Sequence, residues 1–195
     1  MSRLLLATHN EHKRREFARL LAGGELQIDI LAEDFVLPAE DGESFAENAL
    51  CKARAAAQRT GLLSIADDSG IAAAALGGAP GVRSARFAGE DASDQENLDL
   101  LLARAPAGSA LEYVCVIAYV DPLAGVEQLF EGRCSGRLAE SPRGSGGFGY
   151  DPAFLPDDGP AGLTMAELTD EQKDAISHRG LAARALAQWL RQIGT

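Results

Sequence analysis

The chain is short of three things: cysteine, positive charge and long apolar runs. Its 3 cysteines, Cys51, Cys115 and Cys134, are spread over 195 residues. They are odd in number and form no C-x-x-C pair, so neither a zinc ribbon nor a dithiol redox centre is indicated. A reducing cytoplasm is the simplest home for such a set. Cys115, inside the apolar run YVCVIAYV, is expected to be a small core residue. Lys and Arg number 18 against 29 Asp and Glu, a formal net charge of −11. Affinity for a nucleic-acid backbone is built from clustered Lys and Arg, so this balance argues against such a partner. A small phosphorylated ligand stays open, because a few local cations and a metal held by carboxylates suffice for one. The apolar run Leu4–Ala7 is too short for a signal-peptide core or a membrane span, and no other run approaches spanning length. No membrane partner is therefore expected. His178 is a lone histidine with no H-x-x-H or H-E-x-x-H partner, so it is not read as a metal ligand, and the Walker A pattern G-x-x-x-x-G-K-[ST] is absent.

What is present describes a folded chain. Hydrophobic residues make up 46% and charged residues 24%, which supports a sizeable core in one domain, residues 1–195, with room for two lobes. Arg3–Ala7 reads as a strand buried on both faces, because its apolar residues do not alternate. Asn10 caps a following helix that carries Phe17, Leu20 and Leu21 and ends at Gly23-Gly24. Leu26–Leu31 alternates as a second strand. Ser44 and Glu47 form a capping-box pattern before an Ala-rich helix through Thr60. Leu62–Ala66 is a short strand that runs out at Asp67-Asp68-Ser69-Gly70. The Gly-rich stretch LGGAPGVRSARFAGEDA reads as loop, and Ser93 opens a helix to about Arg104. Glu112–Val120 and Val126–Cys134 form a hairpin around Asp121-Pro122. A second Gly-rich loop, SPRGSGGFGYDPAFLP, leads to a last helix from about His178 to Ile193, with Ala182, Leu186 and Trp189-Leu190 facing inward. Strands and helices alternate early, with a hairpin late. The fold class is α/β, a mixed central sheet flanked by helices.

Five stretches are candidates for chemistry. In THNEHK, residues 8 to 13, free N–H groups at a helix start and the Lys13 charge suit phosphate, although Asn10 is also an ordinary cap. In ADDSG, Asp67 and Asp68 suit Mg²⁺ binding or water activation, although Asp, Ser and Gly are also the usual turn residues. Glu40 and Asp41 lie in an acidic loop and gain meaning only beside Asp67 or Asp68; Glu47-Asn48 either contribute or serve capping and packing. In GGFGYD, glycines let backbone approach a ligand, and Phe148 either stacks on a flat ring or packs in the core with Tyr150. In KDAISHR, Lys173, His178 and Arg179 form a cationic group. Taken together, the five supply cations for phosphates, carboxylates for a metal, and an aromatic for a base. A nucleoside triphosphate fits that combination.

The motifs ATHNEHKRREF, ESFAENALCKARAAA, IADDSGIAAAALGGAPGVRSARFAG, GSGGFGYDPAFLP and MAELTDEQKDAISHRG, in this order and spacing, resemble the non-canonical purine nucleoside triphosphate pyrophosphatase family, the inosine triphosphatase-like enzymes. The resemblance covers essentially the whole chain. It implies two lobes around an active-site cleft, a homodimer, and Mg²⁺-dependent hydrolysis of ITP, dITP and XTP to monophosphate and pyrophosphate. Carried over by position, Thr8, His9, Asn10, Glu11, His12 and Lys13 would contact the phosphates. Glu40 and Asp68 would hold Mg²⁺, with Asp68 also the base for water. Ser69 would contact the substrate, Phe148, Gly149, Tyr150 and Asp151 would line the nucleoside, and Lys173, His178 and Arg179 would complete the pocket. His9 departs from the small residue or lysine that many members carry. A Maf-type nucleotide hydrolase and a nucleotide-binding module without turnover are the rival readings. The SHRG and FGYD segments favour the purine enzyme over the first. The pairing of Glu40 with Asp68 favours it over the second.

Overall fold

The apolar run at the start of the chain forms β1 (Ser2–Leu6), and Leu4, Leu5 and Leu6 are all buried. The computed structural model describes residues 2–22 and 26–194, so the expected helix end at Gly23-Gly24 lies outside the described residues. Asn10 caps α1 (Glu11–Leu20) by accepting from the Lys13 N–H at 3.0 Å. β2 (Leu26–Ile30) pairs parallel to β1, Leu4 lying opposite Ile28. α2 (Phe45–Thr60) opens on a complete Ser44–Glu47 capping box and closes on Gly61 at φ 71°, a left-handed position that glycine takes without strain. Along α2 the small residues Ala49, Ala53, Ala56 and Ala57 are buried, so the helix lies close to its neighbours.

β3 (Ser64–Ala73) corrects one expectation. The Asp67-Asp68-Ser69-Gly70 stretch is the middle of a ten-residue strand and not the loop after a short one. Turn-type residues are tolerated there because both carboxylates have partners, Lys13 for Asp67 and Asn48 for Asp68. The Gly-rich segment that follows contains two 3-10 turns, Ala74–Leu76 and Gly81–Arg86. Side chains pin it: the Ile71 N–H donates to Ser84 Oγ at 2.8 Å, and the Ala88 N–H to Asn97 Oδ1 at 2.8 Å. α3 (Asp94–Arg104) starts on a Ser93–Glu96 capping box. β4 (Ala110–Asp121) and β5 (Val126–Leu138) form the expected hairpin, with Asp121 Oδ1 accepting the Leu123 and Ala124 N–H groups at 2.9 Å. Both strands are longer than the sequence pattern indicates. The end of β5 pairs antiparallel with β6 (Phe154–Pro156), a partner far along the chain. α4 (Asp170–Ile176) and α5 (His178–Ile193) are separated by Ser177 alone.

The six strands run in the order β2-β1-β3-β4-β5-β6, with β1 parallel to β2 and β3, so the sheet is mixed. The chain divides into two compact units, each with its own apolar core. The first comprises Met1–Asp68, Cys115–Glu131 and Leu181–Thr195. Its core includes Leu4, Phe17, Ile65, Cys115, Ile117 and Leu186. The second comprises Ser69–Val114 and Gly132–Gly180, around Ile71, Leu101, Tyr113, Leu138, Phe154 and Met165. Among the described residues no helix is long and apolar enough to cross a membrane.

Candidate functional site

In the first unit, the end of β1, the start of α1, the loop before α2 and the middle of β3 bring acids and lysines together. Thr8 is buried, and its Oγ1 accepts the Asn10 N–H at 3.2 Å. Lys13, one turn into α1, reaches Asp67 Oδ2 at 3.0 Å. The Cys115 thiol approaches the same oxygen at 3.9 Å. Glu11 pairs with Arg14 at 2.7 Å, and His12 is exposed. His9 Nε2 donates to the Phe35 carbonyl at 2.7 Å, tying the turn after β1 to the acidic loop.

α2 presents Asn48 and Lys52, four residues apart and therefore on one face, to this cluster. Both are buried. Asn48 Nδ2 donates to Asp68 Oδ2 at 2.9 Å, while its Oδ1 accepts the Gly42 N–H at 2.8 Å. Lys52 Nζ donates to Glu40 Oε1 and to the Asp67 carbonyl, the latter at 2.6 Å. Glu40 is thus drawn into the cluster, whereas its neighbour Asp41 is exposed. Sequence reasoning missed Lys52. Its i, i+4 spacing from Asn48 beside a run of buried alanines was the available signal.

The electrostatics follow from this packing. Burial opposes the Lys52 charge, but Asp67, Glu40 and Asp68 outweigh it and hold the ammonium above its usual pKa. Asp68 moves upward from the ordinary carboxylate value. Burial is the main cause; Lys52 pulls the other way, and the nearby Glu40 charge adds to the rise. Among the described residues no group of three His, Cys, Asp or Glu side chains is arranged as a metal cage.

In the second unit, Ser69 follows Asp68 directly along β3, and its Oγ accepts from Arg179 at 2.7 Å. Arg179 is 1% exposed, fixed in the first turn of α5. The loop around Phe148 is held by Asp151. That carboxylate accepts from the Phe148 N–H at 3.0 Å, from Lys173 Nζ at 2.7 Å and from the Tyr113 hydroxyl at 3.1 Å. Gly147 sits at φ +68°, and a Cβ there would run into the Asp151 carboxylate and come within 3.0 Å of Lys173 Nζ. Only glycine lets the backbone pass so close to this ion pair.

Lys173 Nζ and Arg179 Cζ lie 5.4 and 5.6 Å from the centroid of the half-buried Phe148 ring. The Gly149 N–H donates to Asp94 at 3.0 Å. Tyr150 is buried, its hydroxyl on the Ser84 carbonyl at 2.7 Å, so its side chain anchors the loop to the segment after β3. His178 is buried and stacks on Tyr113, the rings 4.5 Å apart and 5° from parallel. Tyr113 is the second residue that sequence reasoning missed. It lies in an apolar strand where an aromatic reads as core.

The molecule is an α/β protein whose first unit carries a buried lysine–carboxylate cluster and whose second carries a glycine-framed aromatic beside two cations. The sequence pattern of the Ham1 family matches residues 4–189, and the chain belongs to that family. It is 50% identical over 195 residues to a protein of Symbiobacterium thermophilum named dITP/XTP pyrophosphatase, covering 98% of this chain and 94% of that one. A protein of the same name from Cutibacterium acnes is 46% identical over 194 residues, covering 95% of each. Among solved structures, a HAM1 protein from Coxiella burnetii aligns with a TM-score of 0.86 at 39% identity, over 98% of this chain and 100% of that chain.

Proposed function

We propose that the protein hydrolyses inosine, deoxyinosine and xanthosine triphosphates to the monophosphate and pyrophosphate, clearing non-canonical purines from the nucleotide pool. The observation that carries this reading is Asp68, a buried carboxylate held by Asn48 Nδ2 at 2.9 Å with Lys13, Lys52 and Glu40 nearby. A positioned carboxylate of this kind can orient a water and take its proton. Lys13 and Lys52 supply positive charge beside it, where the phosphates gain negative charge as the bond breaks. The names of the relatives at 46–50% identity support the same chemistry.

The donor set fits a hard divalent cation. Mg²⁺ takes one or two carboxylates and fills its shell with water and substrate phosphates. Like-charge repulsion from Glu40 raises the Asp68 pKa, and a cation would relieve it. Glu40 and Asp68 would hold Mg²⁺, which when bound screens the triphosphate charge. Asp68 orients the water and receives its proton. Phe148 stacks on the purine. His178 and Arg179 donate to the 6-keto oxygen of hypoxanthine or xanthine, whereas the 6-amino group of adenine leaves those donors unpaired. Lys173, paired with Asp151, holds the Phe148 loop in shape. We carry a homodimer in the cytoplasm as part of this reading. The three cysteines, all free, suit a reducing compartment, and sedimentation equilibrium tests the dimer.

Phosphorus NMR of the products from ITP tests the reaction. Monophosphate plus pyrophosphate, formed with Mg²⁺ and suppressed by EDTA, is the expected result. Diphosphate plus orthophosphate would overturn the bond assignment, and binding without any product would favour a nucleotide-binding module.

A further inference from the structure

We infer that Tyr113 is a positioning residue for the nucleobase, acting through Asp151 on Phe148 and through its own ring on His178. The inference rests on the proposed role of Phe148 and His178 toward the purine. Three features of the second unit carry it. First, the Tyr113 hydroxyl donates to Asp151 Oδ1 at 3.1 Å, while the other Asp151 oxygen accepts from the Phe148 N–H and from Lys173. One carboxylate therefore ties strand β4 to the Phe148 backbone and to the cation above its ring. Secondly, the Tyr113 ring packs against two others. His178 stacks on it at 4.5 Å and 5°, and Phe154, fully buried, packs at 4.5 Å and 41°. The plane of the His178 imidazole is thus set by a ring that is itself clamped in the core. Thirdly, burial and then the adjacent Asp151 charge push the Tyr113 phenol well above its ordinary range, so the hydroxyl stays a donor at every working pH.

A buried tyrosine hydroxyl needs a partner, and here that partner is the carboxylate that also holds the Phe148 N–H and Lys173. The two halves of the side chain make separate contributions. The hydroxyl fixes where Phe148 stands and so sets the affinity for a purine triphosphate. The ring fixes the direction of the His178 donor and so sets the preference for a 6-keto over a 6-amino base.

The test is a set of variants assayed on ITP and ATP, with KM and kcat resolved. Tyr113→Phe keeps the ring and removes the hydroxyl. It is expected to raise KM for ITP about three- to tenfold, the size of one lost net hydrogen bond, with kcat within about twofold and the ITP-over-ATP preference kept. Tyr113→Leu is expected to reduce that preference as well. In a Phe148→Ala background, Tyr113→Phe is expected to have no further effect on KM, because the group it acts through is gone. A Tyr113→Phe protein with unchanged KM, or a KM effect that multiplies fully with that of Phe148→Ala, would overturn the inference while leaving the proposed function intact. If Phe148→Ala alone leaves KM unchanged, the purine-stacking reading itself falls, and this inference with it. Loss of thermal stability with unchanged KM and unchanged preference would mark Tyr113 as packing alone.

Discussion

Replacing Asp68 with Asn separates the chemistry of this carboxylate from its packing. The amide is nearly isosteric, and its oxygen can still accept from Asn48 Nδ2, which now lies at 2.9 Å from Asp68 Oδ2. What disappears is the charge, and with it the proposed proton acceptor and Mg²⁺ ligand. Positioned general bases contribute about 10²–10⁴-fold, so turnover of ITP should fall by at least about a hundredfold. That corresponds to about 2.7–5.4 kcal/mol of barrier at about 1.36 kcal/mol per decade. Stability should move in the opposite direction. The Asp68 pKa is raised above the ordinary 3.8, so the folded state holds the proton more tightly than the unfolded chain. Stability therefore falls as pH rises from 3.8 through the folded value, and the penalty is fully present above it. The Asn side chain carries no such penalty at neutral pH. The assay pairs pyrophosphate release with a thermal melt in EDTA at pH 7, read by circular dichroism. The expected outcome is a folded, nearly inactive protein with Tm equal to or above that of the parent. Turnover within about tenfold of the parent would remove Asp68 from the base role. A clear drop in Tm would refute the account of its burial.

Three further outcomes follow from the same geometry. Lys52→Met leaves Glu40 and the Asp67 carbonyl without their ammonium. It should cost about 3 kcal/mol in urea unfolding at pH 7, near the low end for a broken buried pair because Glu40 keeps 32% exposure. Since the Lys52 pKa is raised above 10.5, the difference from the parent should be complete below pH 10.5 and be lost as pH rises from there through the folded value; a difference under about 1 kcal/mol at pH 7 would contradict the pairing. Phe148→Ala should raise KM for ITP about tenfold, in the range of base–aromatic stacking, with a smaller change in kcat; an unchanged KM counts against the stack. A thiol reagent at pH 8 should find one fast cysteine, the exposed Cys51, and all three only after unfolding. Cys115 is fully buried, and burial, followed by nearby Asp158, Asp151 and Asp157, pushes the Cys134 thiol up to about 12. Three fast thiols in the native protein would contradict the two cores.

Features written in local sequence were legible. The Asn10 cap, the Ser44 and Ser93 capping patterns and the burial of Cys115 all depend on residues within a turn or two of each other, and all are present. Features written across the chain were not. Asp67-Asp68-Ser69-Gly70 has the composition of a turn, and only Lys13, Asn48 and Lys52 explain how it lies within β3. β5 runs past Cys134 because of β6, whose three residues carry no periodicity of their own. Tyr113 meets Asp151 38 residues later, and Lys52 meets Glu40 12 residues earlier, so neither pairing shows in any local window. The same distance effect gives two expected site residues partners that no local window shows. Tyr150 and Lys173 sit in motifs that point to a ligand, yet their polar atoms bond to Ser84 and Asp151 and hold the loop.

Pyrophosphate release by the purified protein in Mg²⁺, compared across ITP, XTP, ATP and GTP, tests the central claim most directly. The account predicts rapid release from ITP and XTP and little from ATP, since Asp68 is its base and its His178 and Arg179 donors need the 6-keto oxygen that adenine lacks; guanine carries that oxygen too, so GTP reads what those donors leave unselected. Release from ATP equal to that from ITP would contradict the selectivity of the His178–Arg179 donors, and release from none would contradict the assignment of Asp68 as a working base.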